Sequence, residues 1–248
     1  MESVTQSRIG VAVATVGVML ITPFAATGGP IRRALTPVTV AGLGLTTAGS
    51  TAARWGRWRT GLAAIATTTT TFVVEKVGVR TGIPFGRYDY RPAFRPRVSG
   101  VPAAVPLAWF SMAVPAREVA HTALGRQSTA PRRIIGGALA LTAWDVFLDP
   151  QMTREGYWSW RRGGRYRGIP VTNFLGWLFT GLVVMTVLES ALPAGTPSAP
   201  LVTQYAAVGA MEAAAFATFF DDRVVAVAGS LAMLPVAAAA IARLVAAS

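Results

Sequence analysis

The sequence contains no cysteine and a single histidine, His121, in 248 residues. Without cysteine there is no disulfide framework, no iron-sulfur cluster and no thiolate zinc site, and the redox compartment leaves no mark. One histidine is too few for the membrane desaturases and hydroxylases that hold iron with several imidazoles. No glycine fingerprint follows an expected strand, so neither a bound flavin nor a nicotinamide is expected. Charge is scarce as well. Asp, Glu, Lys and Arg make up 14% of the chain, against about 25% in an average soluble domain.

What remains is apolar: hydrophobic residues make up 52% of the chain, and its mean hydropathy is +0.47. A search for apolar stretches of about 20 residues finds eight candidate spans, at 9–27, 34–53, 61–79, 101–124, 134–148, 170–192, 201–220 and 224–247. The first is too long and too weakly flanked by charge for a cleaved signal peptide. The fifth is short, and is expected to tilt or to be completed by residues 149–152 inside a protein-lined cavity. The expected fold is therefore all-α: residues 1–248 as one integral domain, a polytopic transmembrane bundle of about eight spans in the cell membrane. The net charge of +12 sits largely in loop arginines, several beside Trp55 and Trp58. Lipid headgroups and membrane topology account for that pattern, and no nucleic-acid partner is needed.

Within this apolar chain the carboxyl groups stand out. Residues 142–176 read TAWDVFLDPQMTREGYWSWRRGGRYRGIPVTNFLG, and Asp145 and Asp149 are four apart, on one face of a helix. Pro150 is expected to end that helix at Asp149. Two like-charged groups one turn apart in apolar surroundings are hard to ionise together, which suits one of them to general acid work. Glu75 closes the third span one turn after Thr71, and an intramembrane carboxyl is a candidate site by default. After it, Gly82, Pro84, Gly86, Pro92 and Pro96 forbid a long regular helix. Phe85, Tyr88, Tyr90 and Phe94 are nevertheless too apolar for a free loop, so this segment is expected to fold partly into the bundle as a lid. Arg87, Arg117, Glu118 and His121 are candidate supporting residues, and Asn173 is placed to hold a water or a carboxyl group. Glu212 divides between a helix–helix hydrogen bond and a site role. Asp221 and Asp222 resemble half of an Asp-rich diphosphate motif, with the second half absent.

Four blocks, EKVGVRTGIPFGRYDY, WDVFLDPQM, GYW and YRGIPVTNFLGW, resemble the membrane carotenoid hydratase family, the bisanhydrobacterioruberin and γ-carotene hydratases. The resemblance covers about residues 74–177. It implies a cofactor-independent hydro-lyase that adds water to the terminal double bond of a linear carotenoid and yields a tertiary alcohol. The partners implied are the carotenoid, water, membrane lipids and other membrane enzymes of the same pathway.

The chemistry agrees with that implication. Hydrating a trisubstituted alkene requires an acid shielded from bulk water to protonate the less substituted carbon, then a base for the attacking water. Asp145 and Asp149 supply the acid, with Glu75 or the other aspartate as base. Tyr88, Tyr90, Trp144, Phe147 and Trp177 offer aromatic faces to a tertiary cation, and Phe85 and Trp109 complete the expected pocket. No metal is called for. Two other readings stay open: a polytopic prenyltransferase that binds diphosphate through magnesium at Asp145 and Asp149, and a non-enzymatic carotenoid- or lipid-binding protein. The loop arginines favour an orientation with both chain ends outward. Single cysteines at Ser3 or Ser248 should then react with an impermeant reagent in intact cells; protection until permeabilisation would reverse the orientation.

Overall fold

The computed structural model describes residues 2–92, 94–125 and 127–247, with side chains from Thr5 onward; Ser3's side chain and Ser248 lie outside this description. The helices are α1 (Glu2–Ile21), α2 (Pro30–Trp55), α3 (Arg57–Thr81), α4 (Ala104–Leu124), α5 (Ala130–Arg154), α6 (Val171–Ala191), α7 (Ala199–Thr218) and α8 (Arg223–Val245). Four short strands accompany them: β1 (Tyr88–Tyr90), β2 (Arg97–Val98), β3 (Val101–Pro102) and β4 (Trp158–Trp160). Turn chemistry sets the boundaries. Gly82 stops α3 in the left-handed conformation, and the Asp222 side chain accepts from the Val225 N–H at 3.1 Å to cap α8. Asp222 also takes a hydrogen bond from Arg167 at 2.6 Å, so this acidic turn is a capped helix start.

α4 is the centre of the bundle. It packs against α2, α3, α5, α7 and α8, and every residue from Trp109 to Ala120 is buried. Large apolar side chains elsewhere point outward, among them Leu45, Ile65, Leu139, Phe179 and Leu231. Among the described residues, four helices are long and apolar enough to cross a membrane, at 5–24, 57–81, 171–191 and 223–245. The others are interrupted by polar residues such as Arg117, Glu118, Asp145, Asp149 and Gln204, which find their partners in protein.

The expected stop at Pro150 is wrong. α5 starts at Ala130 and continues through Pro150 to Arg154, so Asp149 does not sit at the negative end of the helix. The physical reason is a substitute donor. Proline lacks the N–H that would bond the carbonyl four residues back, and the Tyr166 hydroxyl donates to that Val146 carbonyl at 2.9 Å. Pro115 inside α4 is rescued in the same way. The carbonyl four residues back, that of Ser111, accepts from Thr47 Oγ1 at 2.8 Å and from Gln204 Nε2 at 3.1 Å. Helix propensity alone would have broken both helices, and tertiary hydrogen bonds keep them intact.

Removing the Tyr166 hydroxyl should therefore leave a buried carbonyl unpaired. Tyr166→Phe is expected to lower stability by about 1–2 kcal/mol, read from unfolding of the purified protein in detergent. In a Pro150→Ala background, where the helix supplies its own N–H, the same change should cost much less. Equal costs in the two backgrounds would reject the substitute-donor account.

Candidate functional site

The site is assembled where the segments after α3 and α5 meet. β1 pairs antiparallel with β4 in the register Tyr88↔Trp160, Asp89↔Ser159, Tyr90↔Trp158. Alternation puts the four aromatic rings on one face and Asp89 on the other. Tyr88 packs on Trp160 at 6.1 Å between centroids and Tyr90 on Trp158 at 5.8 Å. On the outer face Arg161 Nε and Nη2 donate to the Asp89 carboxylate at 2.8 and 2.9 Å. That hydrogen-bonded guanidinium holds Asp89 below the usual carboxylate range. The lid segment is seated by two glycines. A Cβ at Gly78 on α3 would lie 3.1 Å from the Phe85 ring, and one at Gly176 on α6 would lie 2.7 Å from it. Phe85 thus fits between α3 and α6 because both positions lack a side chain.

Glu75 is buried beneath this sheet and surrounded by donors. Its Oε2 accepts from the Tyr88 hydroxyl at 2.5 Å and the Tyr90 hydroxyl at 2.7 Å, and its Oε1 from Trp109 Nε1 at 3.2 Å. Burial, followed by the charge of Glu75, pushes both phenols above the ordinary tyrosine value, so they remain protonated donors. On the same cavity Asp149 Oδ1 accepts from Trp158 Nε1 at 3.0 Å. The Asn173 amide, in the first turn of α6, donates to Oδ2 of both Asp149 and Asp145, the latter at 2.8 Å. That shared amide brings the two carboxyl groups together. Asp145 is wholly buried and its Oδ1 has no hydrogen-bonding partner among the described residues.

Glu75 and Asp149 line one cavity of about 90 Å³, and Asp145 is not among its lining residues. Five of the seven tryptophans of the chain line it: Trp109, Trp144, Trp158, Trp160 and Trp177. Trp109 stacks on Trp177 at 3.9 Å, and Trp144 meets Trp177 edge-on at 6.0 Å. Phe85, Tyr88, Tyr90 and Asn173 also face the cavity.

Several expected site residues lie elsewhere. Phe147 turns away from the cavity and stacks on Phe216 at 5.8 Å, over Gly229 of α8. The side chain of Arg87 is exposed; only its backbone carbonyl is used, accepting from Arg161 N at 2.9 Å. Arg117, Glu118 and His121 belong to a separate cluster. Arg117 is eight residues beyond Trp109 on the same helix, about 12 Å away. It bonds Glu118 at 2.8 Å, Glu189 at 3.4 Å and the Leu192 carbonyl, while Glu118 accepts from Ser198 N at 3.0 Å and His121 faces Glu189 at 3.3 Å. That cluster ties α4 to α6 and to the connector before α7. Sequence reasoning missed Trp158, Trp160 and Phe94 as lining residues, together with Thr36, Val40 and Leu43 of α2. The aromatic spacing of two in both YDY and WSW was the available signal for the strand pair.

A helical bundle with an apolar exterior and an aromatic cavity that holds carboxyl groups suits work on an apolar molecule. The chain belongs to the carotenoid biosynthesis protein family, which matches residues 36–246. It is also similar to a bisanhydrobacterioruberin hydratase of Haloarcula japonica, at 32% identity over 133 residues, 53% of this chain. The match spans 45% of that relative's length. No solved structure matches the chain.

The shared amide sets a clear expectation. Asn173→Leu removes the donor common to both aspartates and should cost about 2 kcal/mol, whereas Trp158→Phe keeps a ring, loses one donor and should cost about 1 kcal/mol. Unfolding in detergent would measure both, and no loss in either variant would show that the carboxyl groups find other donors.

Proposed function

We propose that the protein is a carotenoid hydratase that adds water to the terminal double bond of an acyclic carotenoid without a redox cofactor. The observation that carries this reading is the presence of both Asp149 and Glu75 on the lining of one cavity walled by tryptophan and tyrosine. The family and the named hydratase relative support the substrate class. In this reading all eight helices cross the cell membrane. α4 tolerates its charges because protein rather than lipid surrounds it.

The reaction follows from the donors. Two buried carboxyl groups that share one amide donor do not readily ionise together, so one keeps its proton, and Asp149 is the member that faces the cavity. Asp149 gives that proton to the less substituted carbon of the terminal alkene, whose π electrons form the new C–H bond and leave a tertiary cation. Trp109, Trp144 and Trp177 line the cavity, and an aromatic ring beside a tertiary cation would stabilise it. Water then adds through oxygen, and the resulting oxonium loses its proton to Glu75. An oxonium is so strong an acid that Glu75 can accept the proton even while bonded by three donors. Proton return from Glu75 to the aspartate pair closes the cycle, with one water consumed.

Asp149→Asn should abolish product, and Glu75→Gln should lower turnover at least a hundredfold, the scale of a lost acid–base group, with the protein still accumulating in the membrane. Near-normal activity in both would remove them from the chemistry. The reaction class has its own test. Purified protein given an acyclic carotenoid in heavy-oxygen water should yield a tertiary alcohol with the solvent label, in the absence of air and magnesium. In heavy water, one deuterium should appear on the carbon beside the carbinol. Oxygen label from air would point to an oxygenase, and dependence on magnesium and a prenyl diphosphate to a prenyltransferase. Binding without turnover would indicate a carrier.

A further inference from the structure

Glu212 lies mid-way along α7 on the same face as Val208 and Phe216, is only 8% exposed, and plays no part in the mechanism above. Its Oε2 has no hydrogen-bonding partner among the described residues. It lines a second apolar cavity of about 340 Å³ between α2, α5 and α7. This cavity shares Thr36, Val40, Leu43, Trp144, Leu148 and Met152 with the one that holds Asp149, so the two adjoin along one wall. Arg32 and Thr36 on the same lining are engaged. Arg32 bonds Glu155 at 2.6 Å and the carbonyls of Pro23 and Ala25 at 3.2 and 3.0 Å, and Thr36 bonds the Tyr157 hydroxyl at 2.6 Å.

We propose that Glu212 marks a second polar subsite, which binds a neutral hydroxyl group next to the reacting end of the carotenoid. A buried acid with an unpaired oxygen is rare in a folded protein and calls for a partner that the protein itself does not supply. Charge argues against an ion: a cation would sit beside Arg32, and an anion beside Glu212. A hydroxyl both donates and accepts, so it satisfies a carboxyl group in either protonation state, whereas an ether or ketone can only accept. Two sources carry this chemistry, an alcohol on the carotenoid's own end group or a water molecule held ready for the Asp149 cavity. The inference rests on the carotenoid reading for its ligand, but the binding arm of its test does not require turnover.

The first arm is binding. The detergent-solubilised protein is titrated with lycopene, a hydrocarbon, and with an acyclic carotenoid that carries one tertiary hydroxyl in its end group, and quenching of tryptophan emission is followed. If the alcohol is the ligand, wild type binds the hydroxylated probe about tenfold more tightly, the scale of one buried hydrogen bond. Glu212→Leu abolishes that preference without weakening lycopene binding, and the isosteric Glu212→Gln retains it. If water is the ligand, neither probe is preferred. Instead, kcat for hydration falls about tenfold in Glu212→Leu with KM unchanged, and Glu212→Gln restores it. Unchanged discrimination and unchanged kcat in Glu212→Leu would overturn the subsite. So would equal loss of both probes with a lowered unfolding temperature, because that marks a packing role alone. If the chain binds these polyenes but hydrates neither, the hydratase reading fails; a preference for the hydroxylated probe that Glu212→Leu abolishes still supports the subsite, and its absence overturns it.

Discussion

Buried carboxyl groups in an apolar bundle must be given hydrogen-bond donors, and much of the architecture at one end of this protein follows from that constraint. Leaving a single buried carboxylate unpaired costs several kcal/mol, comparable to the whole stability margin of many domains. α3 and α5 supply Glu75, Asp145 and Asp149, but the donors that satisfy them come mainly from other elements. Tyr88, Tyr90 and Trp158 come from the strand pair, Trp109 from α4 and Asn173 from α6. The lid segment and the α5–α6 connector therefore have to fold inward. The strand pair that joins them has only three residue pairs, too few to be stable alone. The exposed Asp89–Arg161 bridge on its outer face adds little. What fixes the strand pair is the set of hydrogen bonds and ring contacts on its inner face.

The prolines show the same dependence of local structure on distant donors. Pro150 and Pro115 both lie inside helices that their own sequences argue against. Each orphaned carbonyl is met by side chains from a different part of the chain, Tyr166 in one case and Thr47 with Gln204 in the other. Tyr166 belongs to the segment that also contributes Trp158 and Trp160. The connector thus keeps α5 helical just past Asp149 while it roofs the cavity in front of it, so that helix continuity and site geometry are linked.

The helical class was legible because apolar length leaves a local trace, and Asp145, Asp149, Glu75 and Asn173, which the structure brings to one region, stood out as polar residues in apolar company, the aspartates with a spacing of four. Phe147 was misread because its ring and that of Trp144 are both apolar and lie within one turn; only the bundle decides that one faces the cavity and the other α8. Arg117 and Glu118 drew attention as charges in an apolar helix, which is also how a structural ion cluster looks in one dimension. The β1–β4 pairing joins residues about seventy positions apart, and no short-range signal encodes which two aromatic triplets meet. α2 contributes to the wall through Thr36, Val40 and Leu43, none of which differs in type from its neighbours.

The two polar centres of the bundle differ in a way that bears on the chemistry. Around Arg117 every carboxylate is met by a cation: Glu118 by Arg117, and Glu189 by Arg117 and Arg133. Such a cluster is electrically balanced and serves to hold helices together. Around Glu75 and Asp149 the donors are phenols, indoles and an amide, all neutral. Neutral donors orient a carboxyl group and offset its desolvation without cancelling its field. An arginine in their place would stabilise the carboxylates more strongly, but it would also repel a carbocation in a cavity of low dielectric, where charges act at long range. A site meant to pass through a tertiary cation is better served by acids held with tyrosine, tryptophan and asparagine. That choice of donor distinguishes this end of the bundle from the other, where the same acid types are locked to arginine.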